Sequence, residues 1–370
     1  MIYLDYAANT PVDKRVLAKF DEVTLSCYGN ANSLHDSGIY AKKLIDKASR
    51  EISSYFNCEP SCVIYTSGSS EANNFIIKGV ASRHLKNKGH IIISSNSHSS
   101  VIAPCNYLAT LGYEVDVIPL NKNGVIDLEK LENTIQDNTI LVSITAVDGE
   151  IGAIQPINDI SKLLKKDKNI LFHVDATQAI GKVSLDYTGV DFLTFAPHKF
   201  YGLNGIGAAI NFNNTKLTPL IHGGKSTTIY RSGTPPTASI VAFATTLKIA
   251  LKNQEKRYNY VLSLNKYLIS ELKNIPNIKI NMPTSSVANI INFSVKNANV
   301  VVKKLYKQGI YVSRKSACSN ADSPSNSVLA ITNDISRATN SIRISISYLT
   351  TKKELIEFIK ILRSVTNENN

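Results

Sequence analysis

The feature that most constrains the fold is a regular alternation of short apolar segments with amphipathic ones across the first two thirds of the chain. Strands that alternate with helices predict an α/β fold, whose large domain holds a mainly parallel seven-stranded sheet covered by helices. Functional groups in such a sheet collect beyond the carboxyl ends of its strands. The expected strands are residues 63–66, 91–94, 115–120, 140–145, 170–174, 192–195 and 206–211, with helices at 71–85, 101–111 and 157–166.

The segment before this alternation predicts two helices. Thr10 and Pro11 indicate a helix start, because a hydroxyl N-cap is followed by proline at the first helical position. A second helix is expected over residues 37–56, where apolar side chains recur at helical spacing.

The pattern changes near residue 256, where a long helix is followed by a mixture of short strands and helices. This predicts a smaller α+β domain. We therefore expect a large cofactor-bearing domain over residues 1–255 and a small C-terminal domain over residues 256–370. Residues 1–15 are expected to pack with the small domain.

Charge and cysteine content narrow the class of protein. The net charge is +12, but the lysines are spread over helix faces, so we expect no direct nucleic-acid binding and leave an acidic protein partner open. Five scattered cysteines are typical of a reducing compartment. Cys58 and Cys62 could form half of a metal site, but nothing completes it, so no metal is expected. The chain shows no secretory signal pattern and no apolar run of membrane-spanning length, so we expect a cytoplasmic protein.

Residues 66–74 join an expected strand to an expected helix with the sequence TSGSSEANN. Small residues let an anion approach the backbone, the hydroxyls of Ser69 and Ser70 add donors, and the helix N-terminus aligns N–H groups. The stretch therefore predicts a phosphate site, although serine–glycine turns before helices are often simple caps.

Two charged residues end expected strands. Asp175 closes an apolar strand, and a buried acid there needs a partner such as a protonated heteroaromatic nitrogen. The ordinary alternative is a carboxylate that caps the next segment. Lys199 follows His198 at another strand end and is placed for Schiff-base chemistry. A surface lysine is an equally good interpretation of this stretch alone.

Cys318 and His98 complete the set of candidates. Cys318 lies among small polar residues with Arg314 and Lys315 upstream, and nearby cations with hydrophilic flanks favour a reactive thiolate over a buried, inert cysteine. His98 follows the strand at residues 91–94. A single histidine is more often structural, but its place at a carboxyl end favours a role in the site.

Together these motifs resemble the NifS- and IscS-like cysteine desulfurases, within the class V aminotransferase family of fold-type I pyridoxal-phosphate (PLP) enzymes. The resemblance is collinear and covers nearly the whole chain. The matching stretches are residues 3–8, 29–30, 33–35, 66–74, 91–98, 123–124, 139–143, 150–152, 173–178, 198–199, 222–224, 231–234, 316–318 and 341–343.

The resemblance implies PLP as cofactor, L-cysteine as substrate and a role for each matching residue. Lys199 would bind the cofactor covalently and move the substrate α-proton, while His98 would stack on the ring. Cys318 would attack the substrate sulfur, leaving a persulfide on the enzyme, releasing alanine and delivering sulfur to a separate acceptor protein. The other implied residues are Asp175 and Gln178 at the ring, Ser69, Ser70 and His198 at the phosphate, Thr234 from the second subunit of a homodimer, and Asn30, Arg343 and Tyr348 at the substrate.

The substrate end departs from the family pattern. The position at which the family carries an arginine for the substrate carboxylate is Tyr348, and a phenol cannot make the bidentate contacts of a guanidinium. Gly149 stands where the family has an asparagine beside the ring. The candidates for a replacement cation are Lys225, Arg314 and Lys315.

These departures leave three hypotheses. The first is a cysteine desulfurase that supplies persulfide sulfur for iron–sulfur clusters or thiolation, which retention of Cys318 favours. The second is a class V lyase or aminotransferase acting on a different amino acid, which Tyr348 and Gly149 motivate. The third is a PLP-binding protein that acts mainly as a dimeric partner. The intact set of Lys199, Asp175 and Cys318 argues against the third hypothesis.

Overall fold

The computed structural model describes residues 1–166, 169–224, 226–314 and 323–367. Two short 3-10 turns, Pro60–Cys62 and Pro197–Lys199, accompany the regular elements. The strands are β1 (Ile2–Tyr3), β2 (Val63–Thr66), β3 (His90–Ser94), β4 (Glu114–Ile118), β5 (Thr139–Thr145), β6 (Leu171–Asp175), β7 (Phe192–Phe195), β8 (Gly207–Asn211), β9 (Lys279–Ile280), β10 (Ile290–Ser294), β11 (Ile310–Tyr311) and β12 (Ser341–Ser345). The helices are α1 (Lys14–Ser26), α2 (Asp36–Ser54), α3 (Ser69–Ala81), α4 (Ser99–Thr110), α5 (Leu128–Thr134), α6 (Ile157–Leu164), α7 (Thr237–Lys252), α8 (Gln254–Lys273), α9 (Ala298–Lys307), α10 (Asn326–Thr332), α11 (Ile335–Thr339) and α12 (Lys352–Asn367).

The large sheet has seven strands in the order β2-β8-β7-β6-β5-β3-β4. Strand β8 runs antiparallel to both of its neighbours, and the remaining pairs are parallel. Six strands therefore end at the same edge, and the predicted α/β fold with a mainly parallel seven-stranded sheet is confirmed. The predicted strands agree with the observed ones to within one or two residues at each end.

Both faces of this sheet are covered. All seven residues of β5 are buried, and its sequence TILVSIT combines four large apolar residues with small hydroxyl residues, as expected of a strand covered on both faces. On one face α2, α6 and α7 pack around Phe172, Phe195 and Phe243. On the other face α3 and α4 pack around Phe75 and Phe192. Helices on both sides leave the carboxyl edge of the strands as the place where loops and polar side chains meet.

The first helix starts later than predicted. Helix α1 begins at Lys14, and its N-cap is Asp13, whose carboxylate accepts a hydrogen bond from the backbone N–H of Arg15 at 2.9 Å. The prediction that Thr10 caps this helix is wrong, because its hydroxyl has other partners. It donates to the backbone oxygen of His198 at 2.8 Å and accepts from the backbone N–H of Tyr201 at 2.7 Å. Thr10 thus ties the N-terminal segment to the loop after β7.

The C-terminal part forms a second apolar core. Strands β12, β10 and β9 make an antiparallel sheet, and β1 pairs in parallel with β11. Ile2 and Leu4 consequently pack into the same cluster as Phe293 and Phe358. The proposed boundary at residue 256 falls inside α8, and the division into two domains stays a prediction. Among the described residues, no helix combines the length and the apolar character needed to cross a membrane.

Candidate active site

The loops that follow β2, β3, β5, β6 and β7 surround a cavity of about 750 Å³ at the carboxyl edge of the sheet. Arg343 enters the same cavity from β12. The predicted site residues that line the cavity are Ser69, Ser70, His98, Asp175, Gln178, His198, Lys199 and Arg343. The structure therefore brings together side chains that lie up to 274 positions apart in the sequence (Ser69 to Arg343, 343 − 69).

Lys199 lies at the end of the turn after β7. Its Nζ donates to the backbone oxygens of Ala7 at 2.9 Å and Ala8 at 2.7 Å. The nearby Tyr201 adopts a left-handed conformation with φ of 76°, which is strained for a bulky residue and is typical of functional sites. The N-terminal segment thus fixes the position of the amine, a role that the sequence analysis did not assign to it.

Asp175 is the last residue of β6 and is almost completely buried. One carboxylate oxygen, Oδ1, accepts from the backbone N–H of Thr177 at 3.0 Å, and Oδ2 accepts from Nδ2 of Asn73 at 2.9 Å. These two donors orient the carboxylate without neutralising its charge. A buried carboxylate that lines a cavity is suited to bind a cationic group there.

Gln178 is held by two contacts that determine which way its amide faces. Its Oε1 accepts from Nζ of Lys182 at 2.6 Å, and its Nε2 donates to the backbone oxygen of Ala7 at 2.9 Å. Burial, together with the nearby cations of Lys199 and Arg343, lowers the pKa of Lys182 to about 7. Lys182 was not identified from the sequence, where it looks like any lysine beyond a short turn.

The two histidines of the cavity are kept neutral by their surroundings. Burial, followed by the neighbouring Lys199 and Lys182, lowers the pKa of His198 to about 4. Burial also lowers the pKa of His98, and the charge of Asp175 opposes this effect only in part. Both side chains are therefore uncharged imidazoles at neutral pH.

The turn between β2 and α3 is built as an anion cradle. The first N–H groups of α3, from Ser69 onward, have no acceptor within the helix, and its N-cap Gly68 offers no side-chain cap. The neighbouring strand approaches closely, since a Cβ added at Gly207 would lie 2.6 Å from the backbone carbon of Gly68. Small residues on both sides thus keep the backbone accessible to a phosphate.

Unpaired polar atoms in the cavity test whether PLP fits. Within the described residues, the buried hydroxyls of Thr145 and Thr177 have no hydrogen-bond partner, and both residues line the cavity. Such atoms are expected where a polar ligand binds. With the cradle at α3, the carboxylate of Asp175 and the amine of Lys199, this donor set fits the phosphate, ring nitrogen and aldehyde of PLP.

Among the described residues that line the cavity, Arg343 is the cation contributed by the C-terminal part of the chain. Its side chain is only 2% exposed, and Nη2 donates to Oδ1 of Asp5 at 2.7 Å. Nη1 donates to the backbone oxygen of Gly149 at 2.9 Å, while Nε has no partner among the described residues. A Cβ at Gly149 would meet only Gln178, at 3.9 Å, so the space beside that residue is open.

Tyr348 lies outside this cavity. Its ring centroid is 4.6 Å from that of Tyr201, and the guanidinium of Arg257 lies 4.0 Å from its ring. It lines a separate, smaller pocket that Lys199 also borders. Arg257 lines the same pocket, so a described cation lies directly against Tyr348.

The structure does not bring every predicted residue to the cavity. Asn30 and Thr234 are exposed and do not line it. Arg314, proposed as a replacement cation, donates to Asn299 at 2.5 Å and to the backbone oxygen of Thr339, and it does not line the cavity either. Cys318, Lys225 and Lys315 lie outside the described residues.

The segment that follows Cys318 in the chain is anchored to the large sheet by two acids. Ser327 donates to Oδ2 of Asp148 at 2.6 Å, and Ser325 donates to Oε2 of Glu150 at 2.5 Å. Asp148 also accepts the backbone N–H of Glu150 at 2.7 Å. The acids beside Gly149 therefore fix Ser325 and Ser327, which follow Cys318 by seven and nine positions in the sequence.

His173, behind the cavity in β6, makes stability depend on pH. It is fully buried, and burial lowers its pKa from 6.5 to about 4. The unfolded chain takes up this proton at the higher pH, so stability is complete above about pH 6.5 and falls as the pH drops toward 4. We expect the unfolding free energy of the cofactor-loaded protein to depend less on pH in His173→Gln, measured by chemical denaturation from pH 4 to 7. Equal slopes for the two proteins would contradict this assignment.

Comparison with known proteins agrees with the geometry. Residues 2–358 match the model of the family described as aminotransferase class-V. A curated relative named cysteine desulfurase IscS, from Dictyoglomus turgidum, is 36% identical over 372 residues, covering 98% of this chain and 94% of the relative. A solved structure titled NifS-like protein superposes with a TM-score of 0.93 at 34% identity and covers 99% of both chains. Another, titled SspA in complex with cysteine, has a TM-score of 0.83 at 31% identity and covers 95% of this chain and 100% of the other.

These matches extend over nearly the whole length of this chain and of each protein it resembles. They therefore include the strand ends that carry Lys199 and Asp175 as well as the C-terminal part that carries Arg343. The chain belongs to the class V aminotransferase family and, within it, to the PLP-dependent NifS- and IscS-like cysteine desulfurases.

Proposed function

We propose that this protein is a cysteine desulfurase that converts L-cysteine to L-alanine and leaves a persulfide on Cys318. The observation that carries the proposal is that Lys199, Asp175 and Arg343 converge on one cavity in a chain whose curated relatives are named cysteine desulfurases. One structural neighbour is described in complex with cysteine. The comparisons do not favour the alternative of a lyase or aminotransferase acting on a different amino acid.

PLP bound in the cavity supplies an electron sink for the electron pair released at the substrate α-carbon. Asp175 is suited to pair with the ring nitrogen, and the N–H groups at the start of α3 are suited to bind the phosphate. Lys199 would hold the cofactor through Nζ and would move the α-proton with the same atom. His98, which lines the same cavity, would contribute a neutral imidazole with one proton beside the ring.

Arg343 is suited to bind the substrate carboxylate. Its guanidinium is already oriented by Asp5 and by the backbone of Gly149, which lowers the entropy lost when a ligand binds. Planar guanidinium groups recognise carboxylates in a fixed geometry. This assignment removes the difficulty posed by Tyr348, because the cation is supplied five residues earlier in the chain.

The sulfur step uses Cys318, which the sequence places in a polar segment between β11 and α10. The Cys318 thiolate attacks the substrate sulfur, so an S–S bond forms and the bond between the substrate sulfur and its β-carbon breaks. The electron pair of that bond stays with the carbon, which takes up a proton and becomes the methyl group of alanine. Cysteine and the enzyme thiol thus give alanine and an enzyme persulfide.

Several finer points extend this proposal. The persulfide passes its sulfur to a separate acceptor protein of iron–sulfur cluster assembly or thiolation.

The chain acts as a homodimer, and Thr234, which is exposed here, reaches the cofactor phosphate of the partner subunit. The reaction takes place in the cytoplasm, which is supported by the free state of Cys27, Cys58, Cys62 and Cys105.

The proposal is tested by measuring alanine and sulfide formed from L-cysteine and dithiothreitol by the PLP-loaded protein. We expect equal amounts of the two products, and less than about one hundredth of the wild-type rate in Cys318→Ala, since this variant lacks the thiol to which the proposal assigns the attack on the substrate sulfur. Cys27→Ala, which removes a partly exposed free thiol elsewhere, is the matched control and should keep full activity. Wild-type alanine production by Cys318→Ala would disprove the proposal.

A further inference from the structure

Asn73, on the first turns of α3, forms the centre of a buried hydrogen-bond network beneath the cavity. Its side chain is fully buried, and both hydrogens of its amide are used. Nδ2 donates to Oδ2 of Asp175 and to Oγ of Ser100, each at 2.9 Å. Its Oδ1 accepts from the hydroxyl of Thr194 at 2.5 Å. One side chain therefore connects α3 with α4, β6 and β7.

The backbone N–H of Ser100 determines which nitrogen of His98 carries the proton, and the network adds the Ser100 hydroxyl as a second contact to the ring. The backbone N–H of Ser100 donates to Nδ1 of His98 at 3.1 Å, so Nδ1 is an acceptor and has no proton. The hydroxyl of Ser100 lies 2.8 Å from the same nitrogen. Because this hydroxyl accepts from Asn73, its own proton is free to point at Nδ1. The neutral ring of His98 therefore carries its proton on Nε2.

The hydrogen bonds that run from Asn73 through Thr194 to His173 also have fixed donors and acceptors. Thr194 donates its single hydroxyl proton to Oδ1 of Asn73 and must therefore accept from Nε2 of His173, which lies 3.0 Å away. Nδ1 of His173 then accepts from the hydroxyl of Ser143 at 2.8 Å. Asn73 is fixed in one orientation, because an amide turned over would place its oxygen against the carboxylate of Asp175.

We propose that Asn73 is a positioning residue that holds the carboxylate of Asp175 and, through Ser100, the Nε2-protonated ring of His98 as one unit. This inference rests on the proposed function, because Asp175 and His98 are the groups suited to act on the cofactor ring. Without Asn73, Oδ2 of Asp175 loses its side-chain donor, and the Ser100 hydroxyl is free to turn away from His98. The two groups that face the cavity would then be oriented independently of each other.

The first test compares Asn73→Ala with wild type by two measurements that need no cysteine. In the PLP-loaded protein labelled with ¹⁵N-histidine, NMR should show His98 with a bare Nδ1 and a protonated Nε2, and these signals should shift in Asn73→Ala. PLP should also be titrated into both proteins after their cofactor has been removed. We expect Asn73→Ala to bind PLP about 10- to 100-fold more weakly than wild type, as expected when the charged carboxylate of Asp175 loses a hydrogen bond. Unchanged His98 signals and unchanged PLP binding in a folded Asn73→Ala protein would overturn the proposal.

Two further variants separate positioning from stability. Ser100→Ala leaves the contact of Asn73 with Asp175 intact, so we expect it to shift the His98 signals while PLP binding changes less than about threefold. If these signals stay in place, the proposal is wrong, and this result decides the matter even if Asn73→Ala does not fold. Asn211→Ala is the matched control, because Asn211 is equally buried and its side chain bonds, within the described part of the chain, to the backbone of Thr215 alone. It lies at the opposite edge of the sheet and should change neither measurement. The NMR signals of His98 and the binding of PLP are both measured without cysteine. They therefore test the role of Asn73 even if the protein shows no desulfurase activity.

Discussion

Lys199→Ala is expected to reduce alanine formation from L-cysteine by at least about 10³-fold. The variant loses both the covalent hold on the cofactor and the group that moves the α-proton, and proton transfer by a positioned side chain alone contributes about 10²–10⁴-fold. We expect PLP still to bind through the cradle at α3 and through Asp175, but without covalent attachment. Borohydride reduction followed by mass measurement should therefore fix PLP on the wild type and leave Lys199→Ala unlabelled.

Lys248→Ala provides the matched control for this prediction. Lys248 is an exposed lysine on α7 that pairs with Glu51 at 3.1 Å, and surface ion pairs contribute about 1 kcal/mol or less. The control should keep wild-type activity and wild-type labelling by borohydride. Alanine formation by Lys199→Ala at more than about one tenth of the wild-type rate would contradict the role of Lys199.

Arg343→Gln is expected to lower kcat/KM for cysteine by about 10- to 100-fold, mainly through a higher KM. This range corresponds to the loss of a charge-assisted hydrogen bond worth about 1.5–3 kcal/mol. The variant also leaves Asp5 without its ion-pair partner, so its melting temperature should fall. Steady-state kinetics and thermal unfolding of the PLP-loaded protein measure the two effects separately.

Two other variants distinguish binding of the substrate from stability. Asp5→Asn breaks the same ion pair but keeps the guanidinium, so it should lower the melting temperature with a smaller change in KM. Tyr348→Phe keeps the ring between Tyr201 and Arg257 and should leave KM within about twofold of wild type. The assignment is wrong if Tyr348→Phe raises KM while Arg343→Gln does not.

The sequence predicted the strands and the strand-end motifs, because each of these depends on the pattern of a few neighbouring residues. The apolar runs identified the seven strands. The cavity at the carboxyl edge of the sheet is lined, as expected, by residues of the turn TSGSSEANN, by Asp175 and by the pair His198-Lys199. These features could be found because each depends on a strand end followed by a short loop, and parallel strands bring such ends to one edge. The pattern predicts the class of fold and the strands, but not the order of the strands in the sheet or the antiparallel direction of β8.

What the sequence could not predict depends on partners far away in the chain. Thr10 has the sequence of a helix cap, but its hydroxyl bonds to the loop after β7, 188 positions later. The resemblance placed Arg343 at the substrate, but only the folded chain shows that its guanidinium is buried and bonded to Asp5 and to the backbone of Gly149. Asn73 carried no signal of its own, since only the folded chain shows that its amide joins Asp175 to Ser100.

Whether Cys318 accepts the substrate sulfur is decided by the mass of the peptide that contains it, measured after the PLP-loaded protein has reacted with L-cysteine without a reductant. We predict one additional sulfur atom on Cys318, removed by dithiothreitol and formed in step with the first equivalent of alanine. Lys199→Ala, incubated in the same way, should show an unmodified peptide. Alanine formation with no sulfur added to Cys318 would show that this cysteine is not the sulfur acceptor.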